Sequence, residues 1–504
     1  MDGTHLRFID FLVVIVYLVG TIIMGCYFAR RNKTSDQFMK AGGNLSGWVV
    51  GLSIFGGYVS SISFLANTGS GYAGNWSGWV YNLSLPIAAL VAIRWIIPYY
   101  RKKNIISCFE PLEERFGLWA RMYASICFIS SEICRMGIIL YLVVLPVNQL
   151  LGVSIPILII IIGISVMIYT LIGGIEGVIY TDAMQAVVLV CGAVICAFLI
   201  PMYIPGGVSH IIDVGMSQHK FSLGSFGFNL TQTTFWVMIL MGFTLNFQSL
   251  SIDQNQIQRY VSARSEKEAK KSVWILAILY VPVGAMFYFI GTALYVYYQV
   301  NPSLLPTTLK VAGAGDKIFP HFIAFGLPVG IAGIVIAAII AAAMSTMSSS
   351  LNVISTLICE DYYKRFSKNV TEKGAMSVLR KSTVIIGVIG ICVSLSLMDN
   401  TGALQLQWIL AGIFGGGLLG LLVISIVPYK ITNATAIYAV CGGLLVIAYL
   451  TFSKISICPS FIPKYSLNQL LTPVFGTAAI IVIGFTITLF ATKHHKSGKK
   501  LKSK

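Results

Sequence analysis

The fold is decided by the stretch Gly51-Leu52-Ser53-Ile54-Phe55-Gly56-Gly57-Tyr58-Val59-Ser60-Ser61-Ile62-Ser63. Glycine and serine supply seven of these thirteen residues, although the stretch lies inside an apolar segment over residues 46–72. Unwound backbone is tolerated within a membrane only where it lines a cavity, so the stretch indicates an interrupted helix beside a binding site. Close packing of helices through small residues is the alternative interpretation.

The composition places most of the chain in lipid. Of its 504 residues only 11% are charged and 56% are hydrophobic, and the mean hydropathy is +0.82. Soluble domains carry about 25% charged residues, so a soluble globular protein is excluded. We predict an all-α integral membrane protein, a single transmembrane transporter domain over residues 1–504.

Apolar segments bounded by charges, proline and glycine predict thirteen transmembrane helices. They cover residues 9–29, 46–72, 76–100, 120–150, 154–172, 178–202, 232–252, 272–298, 325–358, 382–398, 403–427, 434–453 and 472–492. The first apolar run is longer than that of a signal peptide, so we expect it to be an uncleaved helix.

The net charge of +17 fits a defined orientation in the membrane. With the amino terminus outside, most lysines and arginines fall in the predicted cytoplasmic segments and in a basic tail over residues 493–504. We therefore predict a multi-pass protein of the plasma (inner) membrane whose carboxyl terminus is cytoplasmic. The excess charge indicates contact with anionic lipid of the bilayer, because a nucleic-acid partner would need a basic domain that the sequence lacks.

The seventh predicted helix shares the unusual composition of the second. Where it should be most apolar, it carries Gly242, Thr244, Asn246, Gln248, Ser249 and Ser251. Each of these interrupted helices opens a block of five spans, 46–202 and 232–427, separated by the polar segment 203–231. The pattern predicts a five-plus-five inverted repeat. One extra N-terminal helix over 9–29 and two additional C-terminal helices over 434–492 complete the chain.

The ninth predicted helix contains the run Ser345-Thr346-Met347-Ser348-Ser349-Ser350. At the helical period Ser345, Ser348 and Ser349 share one face, which gives a row of neutral oxygen atoms suited to a hard cation. Bonding of each hydroxyl to its own helix is the alternative. Asp182 is the candidate carboxylate for the same ion. The alternative is an aspartate at a helix N-terminus that is exposed to the cytoplasm.

Three segments resemble the sodium:solute symporter family. They are Gly173-Gly174-Ile175-Glu176-Gly177-Val178-Ile179-Tyr180-Thr181-Asp182 with Gln185, Ala342-Ala343-Met344-Ser345-Thr346-Met347-Ser348-Ser349 with Asn352, and Asp253-Gln254 with Gln258-Arg259. The resemblance covers nearly the whole chain. It implies a leucine-transporter-like fold and Na⁺-coupled import by alternating access.

The resemblance also implies two sodium sites. Sodium site 1 would use the backbone carbonyls of Gly56, Val59 and Ala342 with the hydroxyls of Ser345 and Thr346. Sodium site 2, which some members have, would use Asp182, Ser345, Ser348 and Ser349. Na⁺ is then the coupling ion, with no transition metal and no organic cofactor.

Arg135 lies in the apolar fourth predicted helix, at i, i+3 from Glu132. It is either the partner of Glu132 or a bidentate donor for a substrate carboxylate, and we favour the second interpretation. The segment resembles the sialic acid branch of the family, in which an arginine of this helix meets the carboxylate of the sugar acid.

That resemblance implies a substrate pocket formed by Ser60, Ser63, Asn82, Arg135, Phe243 and Asn246. Asn82 is shorter than the glutamine of the sialic acid branch, and Gly57 and Tyr58 add a lining that the branch does not show. Hexuronates, small monocarboxylates and neutral sugars therefore remain open as substrates.

The sequence predicts a symporter for a carboxylated sugar, with sialic acid (N-acetylneuraminate) as the leading candidate. A channel or sensor that uses the same fold is the alternative from another class. An enzyme is not expected, because the sequence offers no nucleophile with a base, paired catalytic carboxylates, metal cluster or phosphate loop. The expected partners are a small anionic substrate and lipid, with no nucleic acid and no obligate protein partner.

Overall fold

A computed structural model of the chain describes residues 8–28, 32–103, 105–311, 313–398, 415, 417–429, 431–453 and 466–501. Within these ranges the regular structure is helical, and the only strand-like pairing is an isolated bridge between Leu45 and Ala263. The prediction of an all-α protein is therefore confirmed for the described residues.

The described part of the first half contains eleven α-helices. They are α1 (Phe8–Phe28), α2 (Ser35–Lys40), α3 (Gly47–Tyr58), α4 (Ser61–Ala73), α5 (Val80–Leu83), α6 (Leu85–Val91), α7 (Ile97–Lys103), α8 (Glu110–Phe116), α9 (Leu118–Leu151), α10 (Ile155–Met202) and α11 (Gly207–Ser217). Short 3₁₀ segments cover Ala41–Gly43 and Trp76–Trp79, and a π-helical turn covers Ala92–Ile96.

The described part of the second half contains ten more. They are α12 (Phe235–Ile252), α13 (Gln254–Ser262), α14 (Glu266–Val300), α15 (Gly315–Phe325), α16 (Ile331–Leu357), α17 (Lys364–Phe366), α18 (Glu372–Ser396), α19 (Leu418–Ile426), α20 (Asn433–Phe452) and α21 (Thr472–Leu501). Irregular turns are 3₁₀ at Pro302–Leu304, Thr307–Leu309 and Gln469–Leu471, and π-helical at Ile358–Tyr363.

The second predicted helix is interrupted, as the sequence indicates. α3 ends at Tyr58, Val59 is extended (φ −91°, ψ 95°), and α4 begins after Ser60. The two halves are bent by 55°. Ser60 caps α4, because its Oγ accepts a hydrogen bond from the backbone N–H of Ser63 at 3.4 Å. At the break the carbonyl of Gly56 accepts a hydrogen bond from Ser345 Oγ of α16, at 2.8 Å.

The seventh predicted helix is not interrupted where the sequence suggested. α12 runs unbroken to Ile252, and the chain leaves the helix only at Asp253 (φ −96°, ψ 119°). The polar side chains find partners without unwinding the backbone: Thr244 Oγ1 donates to the carbonyl of Leu240 at 2.9 Å, and Asn246 Nδ2 donates to Ser84 Oγ at 2.9 Å. Thr244 thus bonds back to its own helix, and Asn246 bonds to a neighbouring one, so neither requires unwound backbone.

α10 merges two predicted helices, 154–172 and 178–202. Its 48 residues amount to about 72 Å of helical rise, more than one crossing needs, and they form two helical parts rather than one straight rod. The two parts meet at Gly174, whose φ of +55° and ψ of −160° are open to glycine. Asn32 closes the break, because its Nδ2 donates to the carbonyl of Ile172 at 3.0 Å.

The predicted number of thirteen transmembrane helices is not confirmed. The described residues contain ten helices that are long and apolar enough to cross a membrane, or eleven if α3 and α4 count as one broken span. This number treats α10 as one helix although Gly174 divides it. About half of the predicted helix 403–427 lies outside the described residues, and within the described part α19 covers its C-terminal portion. The predicted tail begins inside α21, which continues to Leu501.

α16 forms the centre of the bundle. In its most apolar window 89% of the residues are buried, against 22% in α1. Its alanine run allows α10, α9, α1 and α3 to approach closely. α20 and α21 pack on one another, and α21 also packs on α19. The hydroxyl run of α16 therefore lies in the protein interior beside the break between α3 and α4.

Candidate ion and substrate site

The break after α3 brings backbone carbonyls against the hydroxyl run of α16. Ser345 Oγ donates to the carbonyl of Gly56 at 2.8 Å and to that of Ala342 at 3.2 Å. Thr346 Oγ1 donates to the same Ala342 carbonyl at 3.1 Å. Four of the five groups predicted for sodium site 1 are thus in mutual contact. The fifth, Val59, is the extended residue at the break itself.

Asp182 lies close to these groups and is fully buried. Ser348 Oγ donates to its Oδ1 at 3.1 Å, and Ser349 Oγ donates to its Oδ2 at 3.2 Å. Ser348 Oγ also donates to the carbonyl of Ser345 at 3.1 Å. The alternative of an aspartate exposed to the cytoplasm is therefore wrong, and the four residues predicted for sodium site 2 form one cluster.

Two further residues complete this cluster, and the sequence did not assign a role to either. Ser53 Oγ donates to Asp182 Oδ2 at 3.1 Å. Arg259 Nη2 forms an ion pair with the same oxygen at 2.7 Å, and its Nε donates to Ser53 Oγ at 2.8 Å. The sequence does mark both residues, because Ser53 lies in the serine-rich stretch and Arg259 lies in a segment that resembles the family. Neither signal shows that the two side chains meet.

Gly56 explains how α3 approaches α10 so closely. A Cβ atom at this position would lie 2.9 Å from the carbonyl oxygen of Asp182 and 3.3 Å from Cβ of Ala186. Any larger side chain would push the helices apart and separate the break from the buried carboxylate. Glycine is thus required here for the approach of two helices, with an ordinary helical backbone.

A cavity of about 300 Å³ opens beside the cluster, at the lower end of the usual range for ligand sites. Its polar lining consists of Tyr58, Ser60, Tyr81, Ser131, Glu132, Arg135, Gln248, Ser249, Asp253, Asn255, Gln256, Arg259 and Ser349. Gly57, Phe128, Leu245, Ile252, Gly415 and Leu418 supply the remainder. Gly57 and Tyr58 thus line the cavity, and Arg259 and Ser349 are shared with the ion cluster.

Arg135 faces this cavity and is also paired with Glu132. Its Nη1 lies 3.1 Å from Glu132 Oε1, and 29% of its side chain is exposed, against 4% for Glu132. Glu132 is held on its other side by Ser350, whose Oγ donates to Oε2 at 2.5 Å. Both interpretations of Arg135 are therefore compatible with its position, because the single hydrogen bond leaves other guanidinium N–H groups for a ligand.

The other residues predicted for the substrate pocket are less closely grouped. Ser60 lines the cavity, whereas Ser63, Asn82, Phe243 and Asn246 are not part of its lining. Asn246 Oδ1 accepts a hydrogen bond from the hydroxyl of Tyr58 at 2.9 Å, so it acts on the cavity through that residue.

Asn82 and Phe243 are engaged elsewhere. Asn82 is buried, and its Nδ2 donates to the carbonyl of Tyr280 at 3.5 Å. Phe243 stacks on Phe247 with 5.8 Å between ring centroids.

The broken helix, the buried oxygen cluster and the adjoining cavity are the features of a secondary transporter. The chain belongs to the sodium:solute symporter family, whose profile matches residues 38–451. It is therefore a Na⁺-coupled solute symporter, a multi-pass membrane protein and not an enzyme.

Two relatives are similar to this chain over nearly its whole length. The chain is 33% identical over 490 residues to the sodium/sialic acid symporter SiaT of Proteus mirabilis, and the match covers 96% of each chain. It is 31% identical over 489 residues to the sodium/sialic acid symporter NanT of Aliivibrio fischeri, covering 96% of this chain and 94% of NanT.

Solved structures agree with the fold. A Na⁺-coupled sialic acid symporter in a substrate-bound outward-open state matches with a TM-score of 0.88 and 31% identity, covering 96% of this chain and 98% of that one. Mhp1, a nucleobase-cation-symport-1 family transporter, matches with a TM-score of 0.59 over 90% of this chain and 94% of its own. At 13% identity, Mhp1 is similar in fold alone. The leucine-transporter-like fold expected from the sequence is confirmed.

Proposed function

We propose that this symporter imports a carboxylated sugar, N-acetylneuraminate, by alternating access. The observation that carries the proposal is the partly exposed guanidinium of Arg135 in a cavity that directly adjoins the buried oxygen cluster. A guanidinium matches the two oxygens of a carboxylate better than any other side chain does. The relatives SiaT and NanT, which are sodium/sialic acid symporters, support the same substrate.

Two sodium sites are part of the proposal. The oxygen atoms around Ser345 offer neutral ligands, and those around Asp182 add one carboxylate, so binding of Na⁺ at both can remain reversible. The solved structure of the related sialic acid symporter is described as revealing a novel Na⁺ site, which is consistent with more than one ion.

An anionic substrate makes a second ion useful. One Na⁺ with one monoanion is electroneutral, so a tenfold Na⁺ gradient would supply only about 1.4 kcal/mol. A second Na⁺ adds about 1.4 kcal/mol from its own gradient, and its net positive charge adds about 2.3 kcal/mol per 100 mV. Together they amount to about 5 kcal/mol, enough for several-thousand-fold accumulation.

The proposal includes the arrangement of the chain in the membrane. We assign 46–202 and 232–427 to the two inverted repeats, with 9–29 and 434–492 as additional helices. The amino terminus lies outside and the carboxyl terminus, with the basic tail 493–504, lies in the cytoplasm of a cell bounded by the plasma (inner) membrane. No partner other than substrate, Na⁺ and lipid enters this proposal.

The test is uptake of labelled N-acetylneuraminate into proteoliposomes. An inward Na⁺ gradient should drive accumulation above the external concentration, and replacing Na⁺ by K⁺ should abolish it. Accumulation against a gradient excludes a channel or sensor. Uptake that proceeds equally well without Na⁺ would contradict the proposed coupling.

A smaller monocarboxylate is the second candidate substrate. Ser63, Asn82 and Phe243 do not line the cavity, so the groups that would surround the body of a large sugar acid are not assembled there. A small carboxylate would need only Arg135 and its neighbours. Competition of labelled N-acetylneuraminate uptake by lactate, glucuronate and glucose separates this candidate, the hexuronates and the neutral sugars from the leading one.

A further inference from the structure

The guanidinium of Arg259 occupies part of the space that the second sodium ion needs. Its Nη2 donates to Asp182 Oδ2 and to Ser349 Oγ, at 2.7 and 2.5 Å. Both acceptor groups belong to the proposed sodium site 2. The side chain is only 1% exposed, so water does not screen it from an ion placed there.

The hydrogen bonds around Asp182 leave little room for two cations. Ser53 and Ser349 each donate to Asp182 Oδ2, and each accepts from the guanidinium of Arg259. A Na⁺ bound to Asp182 and Ser349 would compete with Arg259 for both oxygen atoms and would be repelled by its charge.

The guanidinium has a place to which it can move. Arg259 and Ser349 line the cavity that also contains Arg135, and Gly57 lies between the cluster and that cavity. A Cβ atom at Gly57 would lie 3.6 Å from Arg259 Nη2 and 3.8 Å from Ser349 Oγ. The absence of a side chain at position 57 therefore leaves the path of the guanidinium open on this side.

We propose that Arg259 is a tethered cation which occupies sodium site 2 in the ion-free carrier and which Na⁺ displaces into the substrate cavity. This inference rests on the proposed location of the second sodium site at Asp182. Na⁺ binding then adds a second guanidinium to the space in which the substrate carboxylate binds. By linkage, an anion that holds the displaced guanidinium strengthens Na⁺ binding to the same degree.

The displacement lowers the apparent affinity for Na⁺. If the guanidinium occupies the site for nine-tenths of the time, the competent fraction is one-tenth and the half-saturating Na⁺ concentration rises about tenfold. Removing the charge of Arg259 should reverse this effect. A guanidinium that stays in place would also repel Na⁺, so Gly57→Ala, which keeps the charge and narrows the path, separates displacement from repulsion alone.

The experiment is a titration of the purified full-length protein with NaCl alone, at constant ionic strength with choline chloride, followed by the rise in thermal unfolding midpoint. Arg259→Gln should lower the half-saturating Na⁺ concentration by about tenfold. Arg264→Gln, at a side chain that is 61% exposed, is the matched control and should leave it unchanged. An unchanged or higher value in Arg259→Gln overturns the proposal.

A second variant tests the path and does not remove the ion pair. Gly57→Ala should leave the ion-free protein folded, since the added methyl group meets only ordinary contact distances, and should raise the half-saturating Na⁺ concentration several-fold. Gly20→Ala, where no heavy atom lies within 4 Å, is its control. In an Asp182→Asn background, Arg259→Gln and Gly57→Ala should no longer change the half-saturating Na⁺ concentration. A change that persists there contradicts the displacement of Arg259 from Asp182.

The substrate is tested separately. N-acetylneuraminate should lower the half-saturating Na⁺ concentration of the unchanged protein, and Arg259→Gln should largely remove this effect. Full coupling in Arg259→Gln would overturn the entry of Arg259 into the anion site. If N-acetylneuraminate has no effect on the unchanged protein, the proposed substrate is wrong, while the titrations with NaCl alone still decide whether Arg259 is displaced.

Discussion

Two ion pairs lie at the same cavity, and they differ in how deeply their side chains are buried. In the first, Arg259 and Asp182 are 1% and 0% exposed and two serines bridge them. In the second, Arg135 is 29% exposed and donates one hydrogen bond to Glu132. Both pairs join an arginine to a carboxylate, yet the second arginine donates one hydrogen bond and the first donates four.

The difference indicates that burial determines what each pair can do. A buried pair gains little over apolar packing but is costly to break on one side, because the remaining charge is left without a partner. In the second pair the arginine can bind a ligand carboxylate through its other N–H groups while it stays paired with Glu132. We therefore expect variants of the first pair to affect folding and ion binding, and variants of the second to affect substrate selection.

The largest effect is expected from Asp182→Asn. The substitution leaves the buried guanidinium of Arg259 without its counter-charge, which costs about 3–5 kcal/mol of stability. The thermal unfolding midpoint without Na⁺ should fall clearly. Asp36→Asn, which breaks an exposed pair with Lys40, is the control and should cost less than about 1 kcal/mol.

The double variant Asp182→Asn with Arg259→Gln sharpens this test. Since it removes both charges, it should be more stable than Asp182→Asn alone. Equal or lower stability of the double variant would show that the buried pair is not the source of the loss.

The second effect in size is expected from Arg135→Ala. Removing a guanidinium that binds a carboxylate in a cavity typically costs 2–5 kcal/mol, so the affinity for N-acetylneuraminate should fall by roughly 30-fold or more. Arg135→Lys keeps the charge but loses the planar fork and should be intermediate. Binding of N-acetylneuraminate is measured by calorimetry in saturating Na⁺. If Arg135→Ala leaves its affinity unaltered, Arg135 does not bind the substrate carboxylate, and a neutral substrate is favoured.

A smaller effect is expected from Ser345→Ala, because Ser345 belongs to both proposed sodium sites. Loss of one oxygen ligand should raise the half-saturating Na⁺ concentration about tenfold, equivalent to about 1.4 kcal/mol. Ser355→Ala is the control on the same helix, since Ser355 Oγ donates to the backbone carbonyl of Asn352 at 2.9 Å, within α16 itself. A similar change in both variants would indicate a general defect of α16.

The smallest effect is expected from Glu132→Gln, and its sign is opposite. The neutral side chain no longer competes for Arg135, so the affinity for the anionic substrate should rise several-fold, by about 1 kcal/mol or less. Ser350→Ala removes the hydrogen bonds to Glu132 and to the backbone carbonyl of Thr346 but keeps the competing charge, so it should not raise the affinity. Weaker substrate binding in Glu132→Gln would mean that Glu132 positions Arg135 for the ligand.

Part of this architecture could be predicted because it depends on local composition. The break after Tyr58 was expected from glycine and serine in an apolar segment, and the row of hydroxyls on α16 from helical periodicity. The expected interruption of α12 was wrong at its position, because Asn246 and Thr244 satisfy their polar groups with the helix intact. Polar residues in an apolar segment do not reveal whether the backbone there is unwound or whether their side chains form hydrogen bonds while the helix stays intact.

The sequence by itself determined that this chain lies in a membrane, where the helix formed by α3 and α4 breaks, and which residue types share one face of α16. These properties follow from composition and short-range period. Only the tertiary structure decided that Arg259 pairs with Asp182, 77 positions away, and that Ser63, Asn82 and Phe243 do not line the cavity. Pairings of this kind depend on how closely α3, α10, α13 and α16 approach, and packing over the whole bundle sets those distances.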